Sequence, residues 1–167
     1  MKKLLINIAV FAMVIAVIIT LLLSFGTDEG ARYVYKGNTA HKVIEVKPKE
    51  YRCSECNMEV EHLGYMAQII TQEGNTYFFD DIGCLVEWLK NHHPKIAKMV
   101  TKTRDTNRWI DVTKAWYSRT DATPMGYGFA AYEKQKEGLI PFEKMRQLML
   151  QGQNLHDPFV KKQLLSL

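Results

Sequence analysis

The sequence predicts an α+β protein in which an N-terminal transmembrane helix precedes one domain made of two ββα-like units. Three observations carry that expectation. Residues 4–25 hold no charged side chain and are almost entirely Leu, Ile, Val, Ala, Phe and Met. Two β-favouring runs, Tyr65 to Ile70 and Asn75 to Phe79, flank the turn-like Thr71, Gln72, Glu73 and Gly74 and lead into a helical pattern. Strand-like runs over 109–118 and 129–132 then precede a second helical pattern at 141–151.

The apolar stretch comes first. At about 1.5 Å per residue it is long enough to cross a hydrocarbon core of about 30 Å. Lys2 and Lys3 precede it and Asp28, Glu29 and Arg32 follow. The excess positive charge therefore holds the N-terminus in the cytoplasm, and the rest of the chain faces outward. A cleavable signal has a shorter core and a small-x-small site, which Leu22, Leu23, Ser24, Phe25 and Gly26 do not supply, so an uncleaved anchor is expected. No Cys follows closely that would carry a lipid.

The 167 residues then divide into an anchor at 1–26, a spacer at 27–50 and a working domain at 51–167. The spacer has few large apolar residues, contains Gly30, Gly37 and Pro48, and offers an edge strand over 41–46. Net charge is +4, with Lys and Arg scattered through the chain, which excludes a nucleic-acid footprint.

Within the domain, Asp80 or Asp81 caps a helix on which Ile82, Leu85, Val86 and Leu89 share a face, and Pro94 ends it after His92 and His93. Cys84 falls in its first turn. The second unit reads as strands at 109–112 and 115–118, a loop at 123–128 and a strand at 129–132. Its helix begins near Pro141, shows Met145, Leu148 and Met149 on its apolar face, and stops at Gly152. A short helix over 159–165 closes the chain. The two units share no residue-level repeat.

The chemistry centres on Cys53, Ser54, Glu55, Cys56, Asn57 and Met58. Thiolate and thioether sulfur together prefer copper(I) to harder ions. Cys-x-x-Cys by itself has four readings: part of a zinc site, a redox pair, a structural disulfide or a soft-metal site. A zinc ribbon needs four ligands, and only Cys84 follows, with one of the adjacent His92 and His93 able to complete a set. A redox pair belongs at a helix N-terminus in a βαβ setting, whereas here the next apolar run is a strand. A disulfide suits an oxidising compartment.

Met58, two residues beyond Cys56, can turn its sulfur toward the same point, and a set of two or three donors suits copper(I); its other reading is a core residue. Met125, between Pro124 and Gly126, is either a ligand from a stiff loop or a plug in an apolar gap. Cys84 at a helix N-terminus is either a third soft donor with a lowered thiol pKa or buried packing. His62 is within reach of the site, and His41, His92, His93 and His156 are expected in solvent. The expected metal set is Cys53, Cys56, Met58, Met125 and Cys84, with no catalytic residue and no enzymatic role.

In order along the chain, Cys53, Cys56 and Met58, then Ala67, Gln68 and Ile69, Phe79 through Cys84, Trp109, Ile110 and Asp111, and Thr123 through Ala131 resemble the NosL family, copper-binding accessory proteins of nitrous oxide reductase. The likeness covers about 51–149. It implies an α+β fold related to that of the organomercurial lyases and a copper(I) chaperone that helps assemble the reductase's copper centres. The implied partners are a membrane ABC transporter and its periplasmic partner, and the implied place is the inner (cytoplasmic) membrane, with the C-terminal domain in the periplasm. Two departures stand out. Family members are commonly lipoproteins, whereas this chain has an apolar helix. The family's Cys-Gly-Met here reads Cys56, Asn57, Met58, and Asn is the non-Gly residue best suited to positive φ, so the loop should keep its shape. The rival expectations are a thiol-disulfide oxidoreductase, a lyase acting on metal–carbon bonds through the three Cys, and a structural zinc module.

Overall fold

In a computed structural model the described residues are 2–25 and 31–165, and they fall into two compact units, Met1–Gly30 and Ala31–Leu167. Residues 26–30, where the expected anchor meets the expected spacer, lie outside the described set, as do 1, 166 and 167. The first unit is one helix, α1 (Lys2–Phe25), 24 residues long, with Ile8, Val10, Phe11, Met13 and Val17 exposed. Among the described residues no helix is long and apolar enough to cross a membrane. The side chains of α1 are described without a break only over 10–21, so the expected span at 4–25 lies partly outside them.

In the second unit the hairpin forms where the β-favouring runs place it. β2 (Ala67–Thr71) and β3 (Thr76–Phe79) pair antiparallel, with Gly74 at φ +80° and its N–H donating to the Thr71 carbonyl at 3.0 Å. Tyr65, expected at the start of the strand, instead ends a 3-10 turn, Leu63–Tyr65. β1 (Val34–Tyr35), β4 (Ile96–Lys102) and β5 (Trp109–Asp111) complete a five-stranded sheet of order β1-β3-β2-β4-β5, every pair antiparallel. β2 is buried along its whole length, and its polar Gln68 is satisfied by a strap: Nε2 donates to the Ile44 carbonyl at 2.6 Å and Oε1 accepts from Ile44 N–H at 3.1 Å. Those bonds occupy both backbone groups of Ile44, in the middle of the 41–46 stretch where an edge strand is expected from sequence and none forms. Asn38 does the same beside it, donating to the Lys42 carbonyl and Thr76 Oγ1.

The α+β class holds, and the strands divide unequally. Trp109–Asp111, read as the opening of the second unit, pairs with β4 (Val100↔Asp111) because the tight turn after β4, with Asn107 at φ +55°, folds the chain straight back. The second sheet is small, β7 (Ala131–Tyr132), β6 (Trp116–Tyr117) and β8 (Ile140–Pro141) in that order. α2 (Ile82–Asn91) and α3 (Phe142–Leu150) share one core with the sheets, built on Phe78, Phe79, Leu85, Tyr117 and Met145. Pro141 stands one residue before α3, in extended backbone and with no capping hydrogen bond, Gly152 at φ +71° follows the helix end, and α4 (Pro158–Leu165) closes the described chain.

Candidate metal centre

The loop that carries the first two thiols is fixed by its own backbone. Cys53 N–H donates to the Met58 carbonyl at 2.8 Å, Asn57 N–H to the Cys53 carbonyl at 3.0 Å, and Val60 N–H to the Tyr51 carbonyl at 2.9 Å. Closing the turn this tightly requires a left-handed residue, and Asn57 supplies it at φ +65°. Ser54 N–H donates to the Phe78 carbonyl at 2.8 Å, so the loop is tied to β3.

β3 runs directly into Asp80, Asp81 and α2. Asp81, fully buried, is the N-cap: Oδ1 accepts Gly83 N–H at 2.7 Å and Oδ2 accepts Met125 N–H at 3.4 Å. With Asp81 committed to the cap, Asp80 turns to the thiol loop, and Cys84, in the first turn of α2, points the same way from a fully buried position. The Sγ atoms of Cys53, Cys56 and Cys84 and a carboxylate oxygen of Asp80 all lie within 4.8 Å of one another. Such a group could hold a metal ion; its geometry does not choose the metal. All three cysteines are free thiols, Cys53 and Cys84 buried and Cys56 half-buried.

The four groups divide their protons unequally. Hydrogen bonding from Cys53, then from Cys84, and from the backbone N–H of Met58 pulls the Cys56 thiol down to about 4. Cys84 moves the other way, far above the ordinary thiol range, because its proton is engaged with Cys53 and Cys56 and its surroundings are apolar. The expectation of a lowered Cys84 is therefore corrected: the helix N-terminus is outweighed by a neighbour that already holds the negative charge. Burial, and then Cys53, push the Asp80 carboxyl up to about 7. Both Asp80 oxygens lie 3.8 Å from Cys56 Sγ.

Met58 is 45% exposed, which rules out a core role. It stands at the mouth of an open pocket of about 430 Å³ lined also by Glu59, Glu61, His62, Asp80 and Pro124. Met125 is half-buried against the hydrophobic core, with its backbone N–H on Asp81 and its carbonyl 2.5 Å from His156 Nε2. Its loop is seated on α2 by Tyr127, whose ring fills the space that a Cβ at Gly83 would need. His156 and His92 are exposed yet lie against rings, His92 stacked on Trp88 at 4.3 Å and His156 tilted against Tyr127 at 4.5 Å.

The structure thus brings together Cys53, Cys56 and Cys84, sets Met58 on the pocket that Asp80 also lines, and packs Met125 against the core. Asp80 was missed by the sequence reading, which considered it only as a cap. The signal was the tandem Asp80, Asp81: one carboxylate suffices as a cap, and the other needs a further reason to be buried. Comparison of the chain with family models, with curated proteins and with solved structures finds no match.

Proposed function

We propose that the protein is a membrane-tethered periplasmic copper(I) chaperone that delivers copper for the maturation of nitrous oxide reductase. The observation that carries the reading is the convergence of three sulfurs and Asp80 within 4.8 Å, two of the sulfurs on a loop that ends in the exposed Met58. Three polarizable sulfurs favour a soft monovalent ion, and a thiolate at Cys56 gives that ion a charged donor at neutral pH. The site is closed by the core on one side and open on the other, as a carrier's site must be if its cargo is to be handed on. The ordered motifs shared with the NosL family supply the client and the partners, an ABC transporter and a periplasmic acceptor. The apolar stretch of α1, with Lys2 and Lys3 at the start of the helix, is the tether in the inner membrane on this reading.

One observation favours a second reading. Asp80 raises the donor count to four, which suits a tetrahedral zinc site of the structural kind. Metal content decides between them: the reduced full chain, in detergent and under argon, is offered copper(I) and zinc(II) together. One copper per chain supports the carrier; zinc retained in its place makes the domain a zinc module. A thiol-disulfide oxidoreductase, which the low Cys56 thiol pKa would also serve, predicts neither and instead turns over a disulfide substrate. The client is tested in cells that lack the protein and grow on nitrous oxide with scarce copper. They should accumulate inactive, copper-poor reductase, and metal-replete reductase would remove that role.

A further inference from the structure

Two openings lead from solvent toward the four donors. One is Cys56 itself, half-buried on the loop, while Cys53 and Cys84 are closed off. The other is the pocket of about 430 Å³, which Asp80 alone of the four donors lines. They differ in what an incoming ligand must displace. At Cys56 it meets a sulfur donor backed by the two buried sulfurs of Cys53 and Cys84. At Asp80 it meets a carboxylate, the donor least suited to a soft ion.

We propose, on the copper(I) reading above, that this pocket is the exchange port, through which a neutral thioether or imidazole of the acceptor passes over Met58 and displaces Asp80 before any thiolate leaves. One donor–copper bond forms as the Asp80–copper bond breaks, copper stays in the +1 state, and the carboxylate stays in the pocket wall.

The lining also selects the class of acceptor. Glu59, Glu61 and Asp80 face the pocket with no Lys or Arg among the lining residues. Arg52 lies 3.2 Å from Glu59 and Lys49 lies 2.9 Å from Glu61, both outside that lining. An anionic donor entering here meets like charge, and a methionine or histidine side chain does not. The exposed sulfur of Met58 at the mouth is a soft contact on the way out. The acceptor therefore presents Met or His to this face, in preference to a free thiolate.

The test uses the full chain in non-ionic detergent, loaded with copper(I) under argon. Transfer is followed by stopped flow to bicinchoninate, an anionic chelator, and to a neutral Met-His peptide amide. Glu59→Gln combined with Glu61→Gln should speed removal by bicinchoninate about fivefold while the peptide rate moves much less, so the ratio of the two rates narrows. Asp80→Asn should release copper faster to both probes. An unchanged ratio in the paired Gln variant overturns the port, as does wild-type release from a folded Asp80→Asn. Should Asp80→Asn fail to fold, the Gln pair decides alone, since Glu61 is exposed and Glu59 is partly so. A wild-type chain that holds no copper(I) points to failure of the functional reading, whereas copper held with unmoved rates points to failure of the port only.

Discussion

Two short loops reach the N-terminal end of α2, and they use their methionines in opposite ways. The loop over 53–58 closes on itself, through Cys53 N–H to Met58 and Asn57 N–H to Cys53, and is tied to β3 by Ser54 N–H, which leaves Cys53 buried, Cys56 half-buried and Met58 exposed. The loop over 123–128 also closes, through Gly126 N–H to the Thr123 carbonyl at 2.9 Å, with Gly126 and Gly128 at positive φ. Its outward bonds, however, serve the scaffold: Met125 N–H holds the helix cap Asp81, and Tyr127 covers Gly83. A sulfur on a stiff loop is thus not yet a ligand. What separates the two is where the side chain ends: Met58 is exposed on the pocket that Asp80 also lines, and Met125 is packed against the core.

The largest effect should come from breaking the first loop's chemistry. Cys56→Ser removes the group that carries the charge, and Cys84→Ala removes the buried third sulfur; each should weaken copper(I) binding by roughly a hundredfold, read by competition with a chelator. Retention of wild-type affinity by Cys84→Ala would return that residue to packing. The second loop should fail differently. Gly83→Ala drives a methyl into the Tyr127 ring, at a cost of about 1–3 kcal/mol in thermal or denaturant unfolding. The paired change Tyr127→Ala should recover part of that loss, and strict additivity in the cycle would mean that the two residues do not press on each other.

The same contrast explains how much could be read from the sequence. Thr71 to Gly74 announced the β2–β3 turn, the Asp80 and Asp81 pair a helix cap that falls to Asp81, Gly152 the end of α3, and Asn57 the left-handed turn, because each is a local backbone demand met by a residue suited to it. β4 was not legible: Lys98 and Lys102 break up the apolar run of Ile96, Met99 and Val100, and the strand is fixed by its partners on both sides, β2 and β5. Nor was the strap at Ile44, which depends on Gln68, 24 positions away. The three cysteines were legible as candidates and Asp80 was not, since a carboxylate shows itself as a donor only once β3 and α2 set it against Cys56.

Acidity gives an intermediate effect that sharpens the comparison, since the shifted groups are Cys56 on the first loop and the Asp80 and Asp81 pair, whose Asp81 is held by the second. In the reduced, metal-free protein Cys56 is lowered to about 4 from the ordinary thiol value near 9, so the unfolded chain holds one proton more from about pH 4 to 9, and this favours folding as pH rises. Asp80, raised to about 7, and Asp81, raised to about 6 by burial, hold protons in the folded state that the unfolded chain has lost above about 4, which works the other way. Below about pH 6 the two carboxyls outweigh the thiol, and stability falls as pH rises. Between about 6 and 7 Asp80 and Cys56 cancel. Above about 7 only Cys56 remains, and stability climbs until the ordinary thiol range is reached. Melting temperature against pH should therefore pass through a shallow minimum near 6–7, and Cys56→Ser should abolish the rise on its alkaline side.

The smallest effects test the methionines directly. Met58→Leu keeps volume and apolarity at a site already 45% exposed, so unfolding should shift by no more than about 0.5 kcal/mol. Met125→Leu, half-buried against the core, should cost somewhat more, though less than about 1.5 kcal/mol, as volume-conserving apolar exchanges do. Copper(I) affinity should order them the other way. Losing the thioether at the mouth of the site should weaken binding about tenfold, the scale of one supporting contact around a metal. The exchange at Met125 should leave affinity nearly unchanged, because the loop's grip on α2 runs through its backbone N–H and Tyr127, which the substitution spares. Equal losses of affinity in the two variants would mean that Met125 reaches the ion after all, and that both loops, and not one, supply its sulfur.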